Sequence, residues 1–68
     1  MERQEVDSSN VASVGYEDGI LEVEFKGVSV YRYFDVPPEL YEELKEADSV
    51  GSFIHRRIVR VFEHVRIN

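Results

Sequence analysis

The side chains best suited to chemistry are arginines and tyrosines. Arg56, Arg57 and Arg60 crowd one stretch of a helical pattern, with His64 four positions beyond Arg60. A guanidinium fork binds phosphate bidentately, so such a cluster can clamp an anion. Tyr31 and Tyr33 are two positions apart in a run rich in β-branched and aromatic residues, so both rings share one face of a strand. Paired aromatics on an open sheet face stack successive nucleic-acid bases. Arg32, between them, takes the opposite face. The same residues have a plainer reading. The arginines can pair with Glu63 and with the glutamates of a preceding helix, leaving a solvated surface. Arg32 is poorly placed in a core, which favours the tyrosines pointing inward with their hydroxyls at the rim.

Other chemistry finds little to work with. There is no cysteine, so thiolate nucleophiles, thiolate zinc sites and disulfides are excluded. His55 and His64 lack the i, i+3 or i, i+4 spacing that sets two ligands on one helical face, and the neighbouring arginines repel a cation. The glycines at 15, 19, 27 and 51 are too scattered for a phosphate loop or a dinucleotide fingerprint. Ser49 and Ser52 read as helix-start residues. The carboxylates lie on faces expected to be wet, where nothing raises a pKa for acid catalysis. The expectation is a domain without catalytic residues, metal or cofactor.

The elements that must position the arginines and tyrosines follow in order. Residues 1–10 are polar and read as a loose leader. Val11 to Tyr16 alternates as a short strand. Glu17-Asp18-Gly19 is a hairpin turn, because Asp-Gly between apolar runs favours tight reversal. Ile20 to Lys26 is the clearest strand, with Leu21, Val23 and Phe25 on one face and Glu22 and Glu24 on a wet one. Lys26-Gly27 turns again into a third strand, Val28 to Phe34. Pro37 and Pro38 end the sheet and suit a first helical turn, opening a helix over Glu39 to Ala47. Ser49 or Asp48 caps a second helix, Val50 to His64. Its stripe of Val50, Ile54, Ile58, Val61 and Val65 is widened by Phe53, Val59 and Phe62. Val65 to Asn68 fits a last helical turn, a frayed end or a short further strand. The predicted fold is α+β: a three-stranded antiparallel meander followed by two helices on one face, β-β-β-α-α.

The chain has 68 residues, 43% of them hydrophobic and 32% charged, which suits one small folded domain with room for a core but not for a deep cleft as well. The net charge is −6, unevenly placed. Residues 1–50 hold four basic against thirteen acidic side chains, and 51–68 hold four against one. A basic patch on an acidic protein can still bind an anion. The N-terminal segment lacks a signal-peptide pattern, residue 2 is Glu rather than the Gly of a myristoylation site, and no run approaches the length of a membrane span. With no cysteines, a cytoplasmic setting is expected.

Several landmarks occur together. Tyr31-Arg32-Tyr33 is central. Ser8-Ser9 and Val14-Gly15-Tyr16 precede it, and Val36-Pro37, Ala47-Asp48-Ser49-Val50-Gly51 and Ile58 follow. In order and spacing, over roughly residues 7–62, they resemble the KTSC domain family. His55 departs from the Asn-like residue expected there. The resemblance implies a domain of about this length, found alone in bacterial and phage proteins and at the C-terminus of some lysyl-tRNA synthetases. The family has no established function, and the synthetase setting implies RNA binding at most. Two readings result. One is a nucleic-acid-binding module using Arg32, Arg56, Arg57, Arg60, Tyr31 and Tyr33. The other is a protein-interaction or homodimer module using a sheet edge or the second helix.

Overall fold

The structure, a computed structural model of the chain, describes residues 1–27 and 29–68. Among the described residues seven elements follow one another: β1 (Gln4–Glu5), β2 (Val11–Glu17), β3 (Ile20–Phe25), β4 (Val30–Tyr33), α1 (Pro38–Glu46), α2 (Val50–Arg57) and β5 (His64–Arg66). The strands form one antiparallel sheet whose spatial order, β1-β2-β3-β4-β5, is also their order along the chain. The α+β class and the paired helices hold, but the sheet has five strands rather than three. Of the expected third strand, Val28 lies outside the described residues.

Local chemistry sets the joints. Asp18 and Gly19 both take positive φ, 54° and 80°, the conformation of the two-residue turn whose twist matches a hairpin. Glu17 therefore pairs directly with Ile20. Pro38 opens α1, where a missing N–H costs nothing. Ser49 caps α2 by accepting a hydrogen bond from the Ser52 amide at 3.3 Å.

One face of the sheet carries the core. Val14, Leu21, Val23 and Tyr33 meet Val36, Leu40, Leu44, Val50, Phe53, Ile54 and Ile58 from the helical layer. Tyr16 stacks on Tyr41 with centroids 4.8 Å apart, and its hydroxyl donates to the Val36 carbonyl, tying sheet to helix.

Two expectations fail at the chain ends, for the same reason. The leader is not loose throughout: Gln4 pairs with Val14 and Glu5 with Ser13, and the Val6 amide donates to the Ala12 carbonyl at 3.2 Å. The second helix stops at Arg57, seven residues early, with Ile58 as its C-cap. After a turn the chain returns to the sheet as β5, pairing Tyr31 with Arg66, Arg32 with Val65 and Tyr33 with His64. Ile58, Val59, Val61 and Val65 are β-branched, which weakens a helix and suits a strand. Val61 and Val65, assigned to the helical stripe, are 62% and 47% exposed.

The other sheet face is polar. The backbone at Glu2 and the side chain of Arg3 fold onto Gly15, where a Cβ would collide with the Glu2 carbonyl oxygen. Gly15 is thus the place where the N-terminal segment lies flat on the sheet. Gly15→Ala is expected to lift that segment. The Val6 amide should then exchange much faster with solvent, while amides of α1 and α2 keep their protection. Native-state hydrogen exchange checks this. Equal protection of Val6 in both proteins would contradict the close approach.

Candidate nucleic-acid interface

The six residues singled out in the sequence do not form one patch. The sheet itself separates them. Arg32 projects from the face opposite the helices, and its Nε donates to Glu22 Oε1 at 2.8 Å. Glu22 also meets Arg3 Nη1 at 3.1 Å and is only 6% exposed. A guanidinium engaged this way is committed to the fold.

Arg56 and Arg57 end α2, and both are exposed. Arg57 reaches Glu43 Oε1 on α1 at 3.6 Å and lies over the Phe53 ring at 5.3 Å. That is the helix-to-helix pairing expected as the plainer reading, a surface contact worth about 0–1 kcal/mol. Arg56 and Arg60 make no ion pair among the described residues. Because α2 stops early, Arg60 sits in the turn before β5 and not on the helical face shared by Arg56 and Arg57.

Tyr31 and Tyr33 do share a sheet face, and it is the one the helices cover. Tyr33 is 2% exposed, so its ring cannot stack on a base. Burial, and secondarily the neighbouring Tyr31, raise its pKa above the ordinary tyrosine value, so the phenol is neutral at physiological pH. Tyr31 is only half-buried, and its ring meets Phe25 edge-on at 5.9 Å.

β5 adds Arg66, which sequence reasoning missed, and moves His64 from the expected helix to the sheet. His64 and Arg66 are opposite Tyr33 and Tyr31 in the strand register, so all four side chains share a face. The His64 ring is 5.6 Å from Tyr31 and 5.3 Å from Tyr33, and both His64 and Arg66 are exposed. Tyr31, His64 and Arg66 thus form an accessible row across β4 and β5, with Arg60 in the turn that leads into it. The signal was the alternation of His64 and Arg66 with Val65 and Ile67, a period of two at the point where a helix was expected to end. Among the described residues no cluster of three or more potential ligand side chains could hold a metal ion, and no helix is long and apolar enough to cross a membrane.

The arrangement defines a class: a small α+β domain in which two short helices cover one face of a five-stranded antiparallel meander. A family model described as the KTSC domain matches residues 7–62. The chain belongs to the KTSC domain family. It superposes on the crystal structure of a KTSC domain protein from Yersinia pestis with a TM-score of 0.94 and 33% identity, over 98% of this chain and 97% of that one. It is 51% identical over 53 residues to an uncharacterised protein of Stutzerimonas stutzeri, with 75% of each chain covered. A protein of Tsukamurella paurometabola is 39% identical over 54 residues, covering 76% of this chain and 81% of that one.

Proposed function

We propose that this KTSC domain is a non-catalytic module that binds single-stranded nucleic acid, RNA first among the candidates, along β4 and β5. The supporting observation is the row of Tyr31, His64 and Arg66 on one face, with Arg60 beside it. It offers a ring for stacking, an imidazole beside it and two guanidiniums for phosphate. This site replaces the cluster read from the sequence, keeping Tyr31 and Arg60 and releasing Arg32 and Tyr33 to the fold. The net charge of −6 opposes a polyanion, so binding should be weak and should fall steeply with salt.

Amide NMR titration with a short single-stranded RNA, first at low and then at physiological ionic strength, tests the reading. Shifts should concentrate at Tyr31, His64 and Arg66. Tyr31→Ala should weaken binding by about tenfold, in line with about 1–3 kcal/mol per stacked base. Arg66→Glu should abolish it. No shifts at low salt, where charge attraction is least screened, would overturn it.

A second reading has its own observation. β5 is the last strand of the sheet, and Val61, Val65 and Ile67 beside it are exposed. An open edge with apolar neighbours suits pairing with a second chain. A sedimentation profile that stays monomeric at high protein concentration would eliminate self-association.

A further inference from the structure

A second polar feature lies outside the β4–β5 row. Residues 7–10 face the start of α2 across an open cleft of about 470 Å³. The loop closes against the helix at Gly51, where a Cβ would collide with Asn10 Oδ1. On the helical side, Ser52 and Arg56 stand one turn apart, with His55 beside them. On the loop side, Ser8 Oγ accepts from the amides of Asn10 and Val11, both at 3.3 Å, and donates to Asn10 Oδ1 at 3.0 Å. The loop is held by these bonds, while the Asn10 amide nitrogen makes no hydrogen bond among the described residues. Arg56 likewise has no carboxylate partner there.

The charges in the cleft are separated by sign. His55 and Arg56 belong to the second turn of α2, and Asp48 immediately precedes its capping residue, with Asp7 on the facing loop. Arg56 is six residues beyond Val50, the first of α2, about 9 Å along the axis at 1.5 Å per helical residue. A bare anion would be repelled at the acidic end and a bare sugar would leave the Arg56 guanidinium unused. A ligand with a phosphoryl group at one end and hydroxyls at the other satisfies both.

We propose that the cleft binds a small hydroxyl-bearing phosphomonoester, a sugar phosphate or a nucleotide. The phosphoryl group accepts hydrogen bonds from Arg56 and His55, and the hydroxyls donate to Asp7 and Asp48. The cleft shares no lining residue with the row of Tyr31, Arg60, His64 and Arg66. An open, polar cleft of this kind suits affinity in the millimolar range rather than tight binding.

Amide NMR titration with ribose 5-phosphate, inorganic phosphate and ribose tests the proposal. Ribose 5-phosphate should shift Ser8, Asn10, Ser52, His55 and Arg56, and bind at least tenfold more tightly than either fragment. Arg56→Ala, at an exposed position, should remove that advantage, whereas Arg57→Ala should leave it. Tyr31→Ala and Arg66→Glu should also leave it, so loss of nucleic-acid binding alone does not touch this site. Competition by a 5′-phosphorylated trinucleotide, but not by its 5′-hydroxyl counterpart, would identify a strand end as the source. Failure of both to compete would identify a free small molecule. Inorganic phosphate binding as well as the sugar phosphate, or no shifts up to tens of millimolar ligand, would overturn the proposal.

Discussion

Leu44→Ala should lower the melting temperature by roughly 10–40 °C. Leu44 is 0% exposed, on the face of α1 that meets both the sheet and α2. Removing its branched end loses transfer energy and leaves a cavity, together costing about 2–5 kcal/mol. A chain of 68 residues holds only about 3–10 kcal/mol of net stability at about 0.05–0.15 kcal/mol per residue. In a domain this small each kcal/mol moves the midpoint by about 4–8 °C. The substitution thus removes a large part of the reserve, and thermal and urea unfolding followed by circular dichroism would read it. Val61→Ala is the control: at 62% exposure it should change stability by less than about 0.5 kcal/mol. Equal effects of the two substitutions would mean that α1 does not anchor the sheet.

Glu22→Gln should cost about 2 kcal/mol, a large effect for a residue on the sheet face away from the helices. Its carboxylate joins Arg3 at 3.1 Å to Arg32 at 2.8 Å, with its own side chain 8% exposed. Gln keeps the shape and one acceptor but leaves two guanidiniums facing each other. Removing one partner of a fully buried pair costs about 3–5 kcal/mol. The arginine side chains are 30% and 40% exposed, so water recovers part of that here. Salt supplies the diagnostic: added sodium chloride should screen the residual repulsion and stabilise the variant relative to the parent. A variant as stable as the parent at low salt would show that the Arg3–Glu22–Arg32 contact contributes nothing.

The middle of the fold was legible because its signals are local. Asp18-Gly19 demands positive φ in sequence, and Ser49 supplies a cap three residues before the amide that it accepts from. The inward turn of Tyr31 and Tyr33 also followed from sequence, because Arg32 had to take the other face. The ends were not legible. Gln4 and Glu5 are polar and alternate with nothing, and their strand exists only because β2 offers an edge. Glu22 was expected to be wet and is buried, since only the fold returns Arg3 to it. At the other end Val61 and Val65 fit a helical stripe as well as a strand, and nothing local separates the two. The excess width of that stripe was the available clue. The error spread to the site: a helix carried to His64 gathers four basic residues on one side, whereas one ending at Arg57 disperses them and delivers His64 and Arg66 to the tyrosines.

Because strand order follows chain order, almost every pairing in the sheet joins neighbours in sequence and can form with little loop-closure entropy. The exception is β4 with β5, which must wait for Phe34 to Glu63 to fold back between them. That pairing is the slow, non-local step of assembly, and a three-residue strand is a weak latch once formed. The surface built from Tyr31, His64 and Arg66 therefore exists only while the last-formed strand stays docked. Its availability is governed by an opening equilibrium much shallower than global unfolding.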